Sequence, residues 1–386
     1  MASGENILGF VRLDKQVYGG TSWVLNSAAE PDTAGRFPIA SGVSNMAVRL
    51  PAEWEEQDAV LLAWPHQGTD WRPRLTAAQQ TCADIIRRIL PFEKVLLIAP
   101  DLGRLRQEME QFHIPRSGLF CLEIGTDDTW VRDFGPVTAF CDGRPFLIDF
   151  EFTGWGGKFP AYNDNRATEA LSRCGLFTTR AVIRPGLVLE GGGIDSDGRG
   201  SLLTTERCLL HPNRNPYLGK TELEEKLATL LGIKRFLWLR HGYLAGDDTD
   251  GHVDILARFC SPDTIAFSSC EDEADEHFPE LKKMAEELAD FRTEEARPYR
   301  LVPLPIPAPR YDEDGRRLAA GYANFLIINR AVLVPAYDDP MDAVAVERLR
   351  DTFPDREIIG VDCRELIRQG GSLHCATMDL PKGVLI

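Results

Sequence analysis

Val137-Thr138-Ala139-Phe140-Cys141-Asp142-Gly143-Arg144-Pro145-Phe146-Leu147-Ile148-Asp149-Phe150-Glu151-Phe152 reads as two apolar strands joined by Asp142-Gly143. Asp-Gly supplies the left-handed backbone that a two-residue hairpin turn needs. A helix over 167–174 and a strand over 180–183 follow. The same order of two strands, a helix and a further strand recurs three times. The second copy has strands over 193–196 and 201–210 about Asp197-Gly198, a helix opening at Thr221 with Glu224 as its reciprocal cap, and a strand over 236–239. The third joins 252–259 to 264–269, then continues with a helix through Leu281, Met284 and Leu288 and a strand over 299–303. The fourth joins 324–328 to 331–335, with a helix over 342–352 and a strand over 357–361.

The hairpins begin near residues 137, 193, 252 and 323, hence 56, 59 and 71 residues apart. A unit of this kind cannot bury its own sheet face, so copies assemble against their neighbours as an open solenoid or a closed ring. Upstream, a strand over 59–64, a helix over 76–90 and a strand over 94–99 supply a fifth unit. That helix carries Thr76 and Gln79 as a capping box and an apolar stripe at Cys82, Ile85, Ile86 and Ile89. The expectation is an α/β fold of ββαβ-type repeats closed into a five-bladed propeller, with small sheets around an axis and helices outside. An ordinary α/β sheet covered on both faces is the alternative.

With 386 residues, 44% of them hydrophobic, the chain can bury a large core. Its net charge of -16, from 43 basic and 59 acidic residues, argues against a nucleic-acid or anionic-membrane partner. A small cationic substrate suits that charge, and a solvated acidic surface explains it equally well. Nine cysteines without a Cys-x-x-Cys pair speak against a disulfide framework or a zinc ribbon and for a reducing compartment. No apolar run approaches the ~20 residues that span a bilayer, and the amino terminus lacks the regions of a signal peptide. A cytoplasmic location is expected, with room left for a homo-oligomer. Residues 1–45 carry turn formers without periodicity and are expected to be a poorly ordered extension of a single catalytic domain over 46–386.

Acidic residues stand at matching places ahead of the hairpins. Asp133, in Trp130-Val131-Arg132-Asp133-Phe134-Gly135-Pro136, precedes the first by four residues; Glu190 precedes the second by three; His252 and Asp254 open the third. In a ring these positions converge, and carboxylates brought together out of water need a cation between them. His252 and Asp254 are two apart, so on a strand their side chains face the same way. Both are metal-ligand types, but the ligand count is small and there is no His-Glu-x-x-His or cysteine cluster, so no metal is expected. Taken alone, His252 would read as a structural histidine. Gly191-Gly192-Gly193 lacks the spacing of a phosphate loop and reads as close backbone approach. Asp195-x-Asp197-x-Arg199 lacks the rest of a calcium loop and reads as a solvated turn.

Cys375, in Gly370-Gly371-Ser372-Leu373-His374-Cys375, would alone be a buried small hydrophobe. Beside several carboxylates and a histidine it suits attack on a guanidinium carbon. Two carboxylates can grip the guanidinium N–H groups and hold its charge beside the sulfur.

Trp130-x-Arg132-Asp133-x-Gly135-Pro136, Glu190-Gly191-Gly192, Thr204-Thr205-Glu206-x-Cys208-Leu209-Leu210 with Asn213-Arg214-Asn215-Pro216, Thr249-Asp250-Gly251-His252-Val253-Asp254, and Gly371-x-x-His374-Cys375 occur in order between about Pro51 and Pro381. This set resembles the agmatine deiminase and bacterial (Porphyromonas-type) peptidylarginine deiminase family. The resemblance implies the five-bladed propeller of guanidine-modifying enzymes and a reaction without metal or organic cofactor. It implies Cys375 as nucleophile, His252 as general acid and base, and Asp133 and Asp254 as the guanidinium clamp. It also places Trp130 and Glu190 in the pocket, and Asp248 at an acidic position near the substrate. His374, although adjacent to Cys375, is then not the base.

Agmatine is the substrate this resemblance favours, giving ammonia and a ureido product; free or peptidyl arginine is the alternative. The chain departs from typical agmatine deiminases at Ser372, where Asn is usual, and at Thr377-Met378-Asp379, where Thr-Gln-Gln is usual. These changes are expected to bear on the pocket for the substrate tail. A cysteine protease would call for an amide-orienting Asn and an oxyanion hole instead of several carboxylates. A non-catalytic guanidinium-binding module would not need the thiol and histidine that stand here.

Overall fold

The computed structural model describes residues 9–11 and 47–386. They form five sheets. Four of these repeat one pattern, a strand antiparallel to a second, which pairs in parallel with a third that arrives after a helical crossover. The first of the four is Val137–Cys141 with Arg144–Ile148 and Val182–Ile183, and it takes Val48–Arg49 on its edge. The next are Ile194–Ser196 with Ser201–Thr205 and Arg235–Leu239, then Ala257–Ser261 with Thr264–Ser269 and Arg300–Pro305. Leu326–Ile328 with Ala331–Ala336 and Glu357–Asp362 is the fourth.

The fifth sheet shows the same pattern with its first strand borrowed from the far end of the chain. Gln57–Ala63 runs parallel to Lys94–Ala99, and its antiparallel partner is Met378–Pro381. Leu119–Glu123 and then Gly9–Val11 extend this sheet in parallel. Helix Leu102–Gln111, strand Leu119–Glu123 and strand Met378–Pro381 add to the elements read from sequence.

Local chemistry accounts for these elements. In Lys94–Ala99 every residue after the lysine is buried, as a strand covered on both faces requires. Helix Leu75–Ile89 turns Ala78, Cys82, Ile85, Ile86 and Ile89 inward, one stripe at helical spacing. At the first hairpin, Asp142 and Gly143 have φ of 48° and 76°. Positive φ at both central residues gives the turn whose twist matches that of its strands.

Several local expectations are corrected. The box of Thr76 and Gln79 does not cap the first helix. The chain enters it through a 3₁₀ turn, Arg72–Arg74, which contains Pro73, and Arg74 is the cap. Proline suits a first turn, where its missing N–H needs no partner. Gln79 instead donates to the Pro65 carbonyl at 3.0 Å. Helix Lys220–Leu231 is closed by Glu222 accepting from Gly219 N–H, while Glu224 accepts from the Trp238 indole at 2.7 Å. The strand after the second turn ends at Thr205, whose hydroxyl accepts from Cys208 N–H and caps the short helix Glu206–Leu209.

His252 and Asp254 do not lie on a strand. Val253–Ile255 is a 3₁₀ turn and the strand begins at Ala257. Asp250 and Gly251, at φ 70° and 88°, swing the chain out of extended geometry, and Thr249 Oγ1 accepts from His252 N–H at 3.1 Å. Asp195 and Asp197 are buried, not solvated; Asp195 Oδ2 accepts from Arg258 Nε at 3.2 Å and from Phe259 N–H at 2.6 Å.

Apart from Gly9–Val11, the expected extension over 1–45 lies outside the described residues. Among those described, no helix is long and apolar enough to cross a membrane.

Candidate active site

Each of the five sheets contributes one side chain from the loop just ahead of its first strand. Asp133 precedes Val137, Glu190 precedes Ile194, Asp254 precedes Ala257, Asn324 precedes Leu326 and Cys375 precedes Met378. The loops pack on one another: turn Gly191–Gly193 lies against both Val131–Phe134 and Val253–Ile255. Glycine makes this possible. A Cβ on Gly192 would stand 2.6 Å from His252 Nδ1 and 2.9 Å from Asp133 Oδ1, and one on Gly191 would meet the Arg132 carbonyl oxygen at 2.1 Å.

Cys375 Sγ lies 3.3 Å from the Asn324 amide Nδ2 and 3.5 Å from Asp254 Oδ2. Burial, then the charges of Asp254 and Asp133, push its thiol well above the ordinary cysteine value. Asp133 accepts from Gly192 N–H at 3.0 Å and from the Trp155 indole at 2.9 Å. Burial pushes its carboxyl up to about 6, against the pull of His252 and with Asp254 and Glu190 adding to it. His252 is fully buried, its Nδ1 3.6 Å from Asp133 Oδ1 and its Nε2 3.9 Å from Glu190 Oε2. Burial drives the imidazole down, yet the neighbouring anions, Asp133 first, carry it well above its ordinary value.

Asp254 and Glu190 remain ionised. Burial pushes the Asp254 carboxyl up, but the hydrogen bond and charge of His374 outweigh it. Burial pushes Glu190 up too, but the charge of nearby His252 and that of Arg214, whose Nε lies 2.8 Å from Glu190 Oε1, hold it low. Asp254 Oδ1 and both ring nitrogens of His252 have no hydrogen-bond partner. A buried polar atom left unanswered costs about 1–3 kcal/mol, so the site is built to receive a group that answers them.

His374 sits behind this arrangement. Its Nδ1 lies 2.8 Å from Asp254 Oδ2 and its Nε2 2.7 Å from Glu53 Oε2. Glu53 also meets Arg258 at 2.9 Å and Arg132 at 3.3 Å, and accepts from Ile327 N–H at 2.7 Å. Burial pushes its carboxyl up, but Arg258, His374 and Arg132 more than reverse this and hold it far below the usual range.

A cavity of about 340 Å³ opens above the thiol. Cys375, Asp133, Trp130, Trp155, Asp128 and Asp248 line it, with Asp312, Arg316 and Arg368 among the other lining residues. Trp130 packs so closely on Gly371 that a Cβ there would meet the indole at 2.5 Å. Burial raises Asp248 to about 6 and Asp128 to about 8.

All seven residues singled out from sequence thus gather in one region. Trp130, Asp133, Asp248 and Cys375 line the cavity, while Asp254 lies beside Cys375, His252 beside Asp133 and Glu190 beside His252. Asn324, Trp155, Glu53 and Asp128 were not singled out. Asn324 carried a signal, since it opens the fourth hairpin where the others open theirs. The departures near Cys375 lie outside the cavity lining: Ser372 Oγ is 3.0 Å from Tyr337 Oη, and Asp379 accepts from Arg132 at 2.7 Å.

This α/β fold is that of the agmatine-deiminase-like hydrolases, which act on carbon–nitrogen bonds of linear amidines. The sequence model of the Porphyromonas-type peptidyl-arginine deiminases matches residues 49–381. The chain belongs to that family. A Vibrio parahaemolyticus protein provisionally named agmatine deiminase is 35% identical over 354 residues, 86% of this chain and 96% of its own. The structure of a Cys-to-Ser variant of C. jejuni agmatine deiminase with substrate bound superposes with a TM-score of 0.82 at 40% identity, covering 88% of this chain and 98% of that one. The agmatine deiminase of Enterococcus faecalis gives 0.79 at 30% identity, covering 88% and 97%.

Proposed function

We propose that the protein hydrolyses agmatine to N-carbamoylputrescine and ammonia through a covalent intermediate on Cys375, in a five-bladed propeller whose loops meet at the axis. The observation that carries this reading is the Asp254 carboxylate, whose Oδ2 lies 3.5 Å from the Cys375 thiol and whose Oδ1 is unanswered. A planar guanidinium satisfies both needs at once. Its N–H groups pair with Asp133 and Asp254, and its positive charge offsets the anions that keep the thiol protonated.

Cys375 Sγ then bonds to the guanidino carbon as the thiol proton passes to solvent. His252, carrying its proton, delivers it to one terminal nitrogen, and the carbon–nitrogen bond breaks to release ammonia. Neutral His252 takes a proton from water as that water adds to the amidino thioether. The carbon–sulfur bond breaks, the adduct's hydroxyl proton passes to the departing Cys375 sulfur, the ureido product leaves, and one water has been consumed for each ammonia released. Glu190 holds His252 in place, and Trp130 forms a wall for the guanidinium plane.

Agmatine is favoured over arginine by the cavity wall. Agmatine ends in an ammonium, and Asp128, which is buried, and Asp248, which is half-buried, are two carboxyls that such a cation would relieve. Arginine would bring a carboxylate towards them. The guanidinium groups round the cavity are already answered, Arg316 by Asp312 and Arg368 by Glu313 and Glu365.

The test is incubation of the purified chain with agmatine, arginine and an arginine-containing peptide, reading ammonia, ureido product and peptide cleavage. Equal ammonia and ureido product from agmatine, undiminished by chelator, is expected. Peptide cleavage, or activity lost on chelation, would overturn the reading.

A further inference from the structure

Beside His252 stands a second thiol that the proposed reaction does not use. Cys208 Sγ, a ring nitrogen of His252 and a carboxylate oxygen of Glu190 all lie within 4.8 Å of one another, and all three residues are buried. The thiol reaches this point because Thr205 caps helix Glu206–Leu209 and so sets the orientation of Cys208. Backbone passes closely beside it: a Cβ on Gly193 would stand 3.3 Å from Cys208 Sγ and 4.0 Å from His252 Cδ2. Cys208 is absent from the lining of the cavity.

Thiolate, imidazole and carboxylate are the donors that zinc prefers, with bonds of about 2.3, 2.0–2.1 and 2.0–2.2 Å respectively. Tetrahedral angles then set the donor atoms roughly 3.3–3.6 Å apart. His252 Nε2 and Glu190 Oε2 are 3.9 Å apart, a few tenths of an ångström from that spacing. His252 Nε2 has no hydrogen-bond partner to give up. Arg214 Nε faces both oxygens of Glu190, 2.8 Å from Oε1 and donating to Oε2 at 3.1 Å, the kind of outer contact that orients a ligating carboxylate.

We propose that Glu190, Cys208 and His252 form a site for a thiophilic divalent cation of the zinc type, and that an ion bound there switches the enzyme off by holding His252. Three bonds to the ion form. Cys208 gives its S–H proton and His252 its Nε2 proton to solvent, so up to two protons leave for each ion bound, and loading tightens as pH rises. Only the inhibitory consequence rests on the proposed deimination; the binding itself does not.

The experiment titrates the purified full chain with Co²⁺, a spectroscopic stand-in for zinc, and reads the thiolate-to-metal charge-transfer band with no substrate present. A band that saturates at one ion per chain is expected in the wild type and in Cys375→Ala, and is expected to vanish in Cys208→Ala and Cys208→Ser. X-ray absorption of Zn²⁺-loaded Cys375→Ala protein, which needs no change at Cys208, is expected to show one sulfur ligand. No band, a band that survives loss of Cys208, one that vanishes with Cys375, or a first shell without sulfur would each overturn the site. Zn²⁺ is also expected to inhibit agmatine turnover reversibly, with Cys208→Ala requiring at least about 10–100-fold more ion for the same inhibition. Unchanged sensitivity in that variant would overturn the inhibitory role. A protein that binds Co²⁺ as described yet deiminates nothing would refute the proposed function and leave the site standing.

Discussion

Asp254→Asn separates two effects that one carboxylate exerts on the thiol. The substitution keeps the shape of the side chain and removes one charge. Asp254 Oδ2 is 2.8 Å from His374 Nδ1, while Oδ1 is unanswered and available to a guanidinium N–H. Losing one partner of a buried, hydrogen-bonded charge pair costs about 2–5 kcal/mol. At about 1.36 kcal/mol per factor of ten, kcat/KM for agmatine should fall roughly 30- to 5,000-fold. The free thiol should respond in the opposite sense. The Asp254 charge, second only to burial, is what raises Cys375, so in the variant Cys375 should ionise at lower pH. Alkylation of Cys375 by iodoacetamide, followed by mass spectrometry of its peptide across pH, should therefore be faster in Asp254→Asn while turnover is slower. Circular dichroism confirms that the comparison is between folded proteins. Turnover within about tenfold of wild type, or alkylation that slows, would refute the reasoning.

Further outcomes follow from the same geometry. Asp133 must be ionised to grip a cation and its carboxyl lies at about 6, so kcat/KM should fall with an acid limb near pH 6. Because Asp254 helps raise Asp133, the residual activity of Asp254→Asn should carry that limb at lower pH; a limb that stays in place contradicts the coupling. Gly192→Ala drives a Cβ into His252 and Asp133 and should cut turnover by about 100-fold or more, the scale of a small misplacement of catalytic groups. Gly191→Ala meets backbone at 2.1 Å and should instead lower the denaturation midpoint. Glu53→Gln breaks a buried ionic hub and should cost about 3–5 kcal/mol in denaturant unfolding at neutral pH. Its folded carboxyl is depressed below the ordinary 4.5, so this stabilisation is present above that pH and is lost as pH falls below it. The gap between wild type and Glu53→Gln should therefore narrow in acid.

What could be read from the chain was local. Val137–Cys141 and Arg144–Ile148 announce themselves because the turn chemistry of Asp142-Gly143 lies between two apolar runs. The acidic positions were legible because the repeat places them at one point of each unit. Met378–Pro381 carries no comparable signal: it is four residues long, and its partner, Gln57–Ala63, lies at the other end of the chain. Glu53 is a charged residue two after a proline, and its role exists only because Arg132 from the short helix Val131–Phe134, Arg258 from strand Ala257–Ser261 and His374 from the loop before Met378–Pro381 meet it. Trp155 is similar. Glycines on both sides announce a tight turn, and the backbone there has positive φ from Gly154 to Gly157, but nothing local directs the indole towards Asp133. The misread caps show the reverse problem. Thr76 with Gln79 satisfies the short-range pattern of a capping box, and Pro73 starts the helix earlier.

The central claim is a covalent bond between Cys375 and the guanidino carbon. Acid quench during turnover of agmatine, followed by mass spectrometry of the peptide that contains Cys375, tests it most directly. The predicted result is an adduct on Cys375 equal to agmatine less ammonia, absent from Cys375→Ala, which should also be inactive. An adduct on another residue, or agmatine turnover that persists in Cys375→Ala, would contradict it.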